Sequence, residues 1–211
     1  MILTHKFIFA LVILSSFSSA QEIVNYGLMV GANISMPKLT TKNFFYQRSY
    51  RDSRLGSCIS IFTDFSFNKS FSIRLDVSYS NEGAEDKIPI TTFDKPDGTG
   101  DFMIWDHEFG FVNTNLCFKP SYEFNSIQLY ALIGPELKFL FYKRDMNIGA
   151  ANPKNLVFGY NLGFGFLPKN VFEGRVFVEF RFSDSFGYLI NVDDFKLKFQ
   201  TLLLSLGCNI N

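Results

Sequence analysis

Apolar and polar residues exchange places every second position over most of this chain. The cleanest run is 71–80, where Phe71, Ile73, Leu75, Val77 and Tyr79 alternate with Ser72, Arg74, Asp76, Ser78 and Ser80. A strand points successive side chains to opposite faces, whereas an amphipathic helix would space its apolar groups by three and four. The same rhythm marks a first strand over 23–34, a second over 55–67, a fourth over 105–122 and a fifth over 127–142. A sixth covers about 158–166, a seventh about 172–182 and an eighth 195–210. Short polar turns at 68–70, 123–126 and 168–170 alternate with long polar segments at 35–54, 84–104, 143–156 and 184–194. Short turns on one side and long loops on the other are the layout of a membrane β-barrel. The predicted fold is all-β: an eight-stranded antiparallel transmembrane barrel in up-and-down order. Its even strand count puts both termini on the turn side.

Two local breaks stand out. Gly134-Pro135 interrupts the fifth strand, and proline cannot donate to a ladder, which predicts a bulge or bend there. Near 200–202 the apolar period shifts by one residue, which a second bulge would explain.

The two faces differ in kind. One carries much of the chain's 27 Phe, as in the sixth strand, where Phe158, Tyr160, Leu162, Phe164 and Phe166 oppose Gly159, Asn161, Gly163 and Gly165. Large side chains outside and missing ones inside suit a narrow, crowded barrel. The other face carries cations (Arg74, Lys119, Lys138, Arg175, Arg181) and anions (Asp64, Asp76, Glu82, Glu136, Glu173, Glu179). A lipid-facing Arg or Lys at the bilayer midplane costs about 2–4 kcal/mol, so these charges belong in the lumen. An eight-stranded barrel is just wide enough for side chains to fill. The near-balance of signs favours a salt-linked plug over a narrow polar pore for small solutes. A soluble, lipocalin-like ligand barrel would require the faces reversed.

The amino terminus changes the picture of location. Lys6 precedes an apolar stretch, 7–14, and Ser18-Ser19-Ala20 has the small residues of a cleavage site. Residues 1–20 are read as a signal peptide and 21–211 as one barrel domain, exported to the cell outer membrane of a Gram-negative envelope. The stretch is too short to span a bilayer as a helix. With 20 Lys+Arg against 20 Asp+Glu, no global field draws in nucleic acid. Cys58, Cys117 and Cys208 are an odd, scattered set without metal-ligand spacing.

Several segments resemble the PorT-like family of outer-membrane barrels. Tyr26-Gly27-Leu28-Met29-Val30-Gly31-Ala32-Asn33 is similar to the family's opening strand. Leu75-Asp76-Val77-Ser78-Tyr79-Ser80-Asn81-Glu82-Gly83 resembles its third, Tyr130-Ala131-Leu132-Ile133-Gly134-Pro135 its fifth, and Glu179-Phe180-Arg181-Phe182 its seventh. The fourth strand departs from it, with Pro120 coming late, and the chain ends in Ile210-Asn211 rather than an aromatic residue. The resemblance implies an integral outer-membrane barrel, and some relatives are associated with protein secretion. It implies no single activity.

No catalytic constellation is expected. A Ser/His/acid set needs a histidine, and the mature chain has only His107, beside Trp105 and Asp106 and read as an exposed rim residue. Gly-x-Ser-x-Gly, HExxH, P-loop and dinucleotide fingerprints are absent from the sequence. Asp94, Asp97, Asp101, Asp106 and Glu108 read as solvated loop acids, and Asn33-Ile34-Ser35 and Asn68-Lys69-Ser70 as rim and turn polar residues. The expectation is therefore a non-enzymatic monomer without cofactor or metal, in contact with outer-membrane lipid. The first long loop joins Phe44, Phe45, Tyr46 and Tyr50 to Arg48, Arg51 and Arg54. Aromatic and Arg residues anchor binding surfaces, so this loop is the candidate contact for a protein partner.

Overall fold

The computed structural model describes residues 23–41, 52–90, 92, 94, 99–144, 153–192 and 195–210. Nine strands follow one another: β1 (Ile23–Thr41), β2 (Asp52–Asn68), β3 (Phe71–Pro89), β4 (Phe102–Phe124), β5 (Ile127–Arg144), β6 (Leu156–Pro168), β7 (Val176–Ser185), β8 (Ile190–Val192) and β9 (Phe195–Asn209). Each pairs antiparallel with its neighbour from β1 to β7, then β7 pairs with β9, and β9 closes onto β1. The result is a closed eight-stranded barrel. The three residues of β8 fold back on β9 through Ile190↔Leu197, inside a segment the sequence reading left as loop.

Strand alternation sorts the side chains as polarity predicts. Val24, Tyr26, Leu28 and Val30 of β1 are exposed on the outside, as are Leu202, Leu204 and Leu206 of β9 and Phe158 and Phe164 of β6. Charged residues such as Arg74, Asp76 and Glu179 are buried inside. A soluble ligand-binding barrel has the reverse arrangement.

Four details depart from expectation. The strands on the loop side run further: β1 reaches Thr41, β3 reaches Pro89, and β4 starts at Phe102. Gly134-Pro135 makes no bulge, since β5 stays in register with β6 through Gly134↔Asn161 and Pro135↔Tyr160. Gly134 instead lets two strands close up, because a Cβ there would collide with the Leu116 carbonyl on β4. The register shifts lie elsewhere, at Gly110/Phe111 between β4 and β5 and at two points between β2 and β3.

The third departure is β9, which runs without a register shift against both β1 and β7. What changes along it is the medium. Phe195, Leu197 and Phe199 point inward and are buried, whereas Leu202, Leu204 and Leu206 point outward. Near the loop end β9 turns apolar side chains inward and Lys196 and Lys198 outward; lower down the polarity inverts.

The fourth is the link between β6 and β7, which spans residues 169–175 rather than three. Phe172, Glu173 and Gly174 all adopt left-handed backbone, at φ 47°, 56° and 71°. This 3-10 turn removes Glu173 and Arg175 from the seventh strand.

Candidate functional site: a salt-linked lumen

The interior is arranged in tiers. In the ring of eight strands β3 and β7 are diametrically opposed, and the charged tier is built between them. Arg74 on β3 holds its register partner Asp64 of β2 in bidentate fashion, Nε–Oδ1 2.6 Å and Nη2–Oδ2 2.7 Å. Its Nη1 reaches across the lumen to Glu179 Oε2 of β7 at 2.7 Å. Two residues along, the polarity is exchanged: Arg181 on β7 donates Nη1 to Asp76 Oδ2 of β3 at 2.7 Å. Arg181 Nε also bonds Glu179, and Lys119 Nζ lies 2.6 Å from Asp64 Oδ2. Lys119, Asp64, Arg74, Glu179, Arg181 and Asp76 thus form one continuous chain across the barrel.

A second, smaller group lies nearer the loop end. Lys138 Nζ sits 2.7 Å from Glu82 Oε1 and 3.7 Å from Glu136 Oε2. Glu136 accepts a hydrogen bond from the Ser183 hydroxyl. Between the groups is a cavity of about 30 Å³, whose lining includes Asp76, Asn113, Glu136, Asn161, Arg181 and Thr201. That is room for roughly one or two water molecules.

Packed against the Arg74 guanidinium is an aromatic cluster. The Arg74 guanidinium lies 4.3 Å from the Phe62 ring centre, 5.2 Å from Phe177 and 5.6 Å from Tyr130. Tyr130 donates its hydroxyl to Glu179 Oε2 at 2.9 Å. Each ring has a glycine as its cross-strand partner: Phe62 faces Gly27, Phe177 faces Gly207 and Tyr130 faces Gly165. A Cβ at any of the three glycines would strike the ring opposite. The empty inward positions of the sequence are the spaces these rings fill. Met29, Cys117 and Leu132 complete the cluster.

Above the charges Phe109, Phe111, Leu140, Val157, Leu197 and Phe199 form a second apolar cluster with Ile190 and Phe195. Apolar side chains therefore pack against the charged network both around Arg74 and on its loop side. The surrounding low dielectric strengthens each ion pair and raises the cost of losing one partner.

Of the charged residues singled out in the sequence, Arg74, Asp76, Glu82, Lys119, Glu136, Lys138, Glu179 and Arg181 meet in this interior. Glu173 and Arg175 do not. They pair with each other at 3.2 Å in the β6–β7 turn, with side chains 82% and 52% exposed. The turn continues the apolar–polar rhythm without continuing the strand. His107 is another correction: it is fully buried, with Nε2 3.1 Å from Asp86 Oδ2, because the β3–β4 hairpin carries the rim further out. Asp106 and Glu108 are not purely solvated, since Arg54 contacts both, at 2.5 and 3.2 Å. Among the described residues no cluster of His, Cys, Asp and Glu is placed to hold a metal ion. Cys58 and Cys117 are buried free thiols and Cys208 is exposed. Phe44, Phe45, Tyr46, Arg48, Tyr50 and Arg51 lie outside the described residues.

The inward aromatics Phe62, Tyr130 and Phe177 escaped the sequence reading. Counting in twos from Glu136 and Lys138 would have placed Tyr130 inside.

No protein-family model matches the chain, and no curated protein matches it. Solved structures do. The outer membrane protein OprG from Pseudomonas aeruginosa aligns over 91% of this chain and 98% of its own, at 9% identity and TM-score 0.54. Ail, the attachment invasion locus protein of Yersinia pestis, aligns over 89% of this chain and 99% of its own at 12% identity and TM-score 0.43. Neisserial surface protein A aligns over 87% and 97% at 11% identity and TM-score 0.40. The fold is that of small outer-membrane barrels.

Proposed function

We propose that this chain is a monomeric, integral outer-membrane barrel without enzymatic activity or cofactor, exported by its leader. Its lumen is a rigid plug, and it works by presenting its loop end to a protein partner outside the cell. The exposed apolar band and the buried charges support membrane residence, since the opposite placement would be costly in lipid. The diametral Arg74–Glu179 and Arg181–Asp76 pairs and the two apolar clusters packed against them support a filled shaft rather than a narrow channel.

The observation that carries the partner reading is the β3–β4 hairpin. β2 pairs with β3 only as far as Asp52↔Glu85, and β5 pairs with β4 only as far as Glu108↔Arg144. Among the described residues, β3 and β4 pair only with each other beyond these points, to Pro89↔Phe102, closed by a hydrogen bond from Ile90 N to the Asp101 carbonyl at 3.0 Å. This projecting ribbon exposes Ile90, Phe102, Met103 and Ile104, the last three by 60%, 47% and 59%. Adjacent exposed apolar residues on a projecting element suit a protein contact. Arg54, from the aromatic and Arg-rich segment of the sequence, lies at the same end and contacts Asp106 of β4. Within outer-membrane barrels, the PorT-like resemblance favours a partner in secretion across that membrane.

The test has two parts. Carbonate or urea washing of isolated outer membranes should leave the protein in the pellet; folded protein in the wash would remove the membrane reading. A photo-crosslinking residue at Met103 should then capture a discrete protein in intact cells, and one at Asn125 in a short turn should not. Equal capture from both positions, or none from Met103, would reject the hairpin as the contact.

A further inference from the structure

On the outer surface an apolar groove lies beneath a cationic edge. The groove holds about 590 Å³ and includes Ala32, Ile34, Phe180, Phe182, Leu202 and Leu204 in its lining. Register aligns these residues in two outward rows, Ala32↔Leu204↔Phe180 and Ile34↔Leu202↔Phe182. Ala32 is the small residue in a band of large ones, which gives the groove its depth.

Toward the loop end the outward stripe turns cationic. Lys38 and Lys198 are direct cross-strand partners, and Lys196, opposite Thr40, follows two residues on. Like charges directly opposite destabilise a sheet unless something offsets them. Asp184 offsets one of the three, accepting from Lys198 Nζ at 2.9 Å. It also accepts from Gln200 Nε2 at 2.9 Å. Lys196 Nζ lies 5.7 Å from the Tyr188 ring centre and Lys38 is exposed; among the described residues neither forms an ion pair. The loop end of β3 and β4 is different, carrying Glu85, Asp106 and Glu108 around Arg54. Above the groove, the outward positions of β1 and β9 thus carry Lys38, Lys196 and Lys198.

We propose that this face binds one phosphorylated, acylated lipid of the outer leaflet, with an acyl chain in the Ala32 groove and a phosphate on Lys38 and Lys196. Apolar complementarity holds the chain and charge complementarity selects the headgroup. The site rests on the reading that the apolar band meets lipid and that the loop end faces the cell exterior.

Native mass spectrometry of the mature barrel folded in neutral detergent tests it, with diphosphoryl lipid A as probe and phosphatidylcholine as control. Lipid A should be retained at one per barrel and phosphatidylcholine should not. Attraction of about 1 kcal/mol per lysine corresponds to roughly fivefold in affinity for each of Lys38→Ala and Lys196→Ala. Ala32→Leu should weaken retention without changing charge. Unchanged retention in the double lysine variant, or equal retention of phosphatidylcholine, would overturn the headgroup assignment. Unchanged retention in Ala32→Leu would overturn the groove. Circular dichroism and heat-dependent gel mobility report folding separately. A mature chain that cannot fold in detergent would defeat the membrane reading itself; a folded barrel that binds no lipid A would defeat this inference alone.

Discussion

Glu179 joins more of the interior than any neighbour of its kind: it takes Arg74 from one side, Arg181 from its own strand and the Tyr130 hydroxyl from the aromatic cluster. Removing it leaves two buried guanidiniums short of a counter-charge. Breaking one partner of a dry ion pair costs about 3–5 kcal/mol. Glu179→Ala should therefore lower the urea midpoint of the barrel in detergent by that order. Arg175→Ala, at an exposed turn, should leave the midpoint within error, and an equal loss in both variants would contradict the placement. At this scale the sequence was legible where a charge sat inside a long alternating run, as with Arg74 and Asp76. It misled at Glu173 and Arg175, because a left-handed turn after Pro168 happened to keep the alternation. It was silent on Phe62 and Phe177, since an aromatic residue in a membrane strand suits either face until its glycine partner is known.

Among the elements, β9 shows how a strand crosses two media. Its backbone register is unbroken, yet its apolar face passes from inside to outside between Phe199 and Leu202. The sequence showed the change of phase and suggested a bulge, but the register is unbroken and the change lies in which face is apolar, the pattern of a barrel that extends past an apolar band. Strands of 19 and 23 residues in β3 and β4 exceed the 9–11 or so that a tilted crossing needs. Lys substitutions separate the two zones. Leu204→Lys, on the lipid side, should cost about 2–4 kcal/mol near midplane depth and reduce insertion into vesicles. Lys196→Leu, beyond that band, should insert normally. Equal insertion of Leu204→Lys and wild type would contradict the assigned lipid zone. On β5, Gly134→Val should block barrel closure, because the branched side chain meets the β4 backbone at Leu116. Recovery of full heat-resistant mobility by that variant would show that β4 and β5 need not approach there.

For the molecule as a whole, the alternation of short turns and long connections told the strand count and the order, and the closed β1–β9 seam follows from them. Topology is testable directly. In a background lacking the three native cysteines, single cysteines at Asp101 and Lys154 should react with an impermeant reagent in intact cells, and those at Lys69 and Asn125 should not. The reverse pattern would invert the barrel. What the sequence could not supply was the arrangement of the interior, with an apolar cluster on the loop side of the charges and aromatic rings packed around Arg74. That arrangement depends on which strand faces which across the lumen, and only the closed ring sets it. The account stands most directly on that interior, and conductance of the purified barrel in planar bilayers examines it. The account predicts no steady current from the wild-type protein, since the Arg74–Glu179 and Arg181–Asp76 pairs span a lumen packed with apolar side chains. A steady, ion-selective current that Arg181→Ala changes without loss of stability would contradict it and make the lumen a pore.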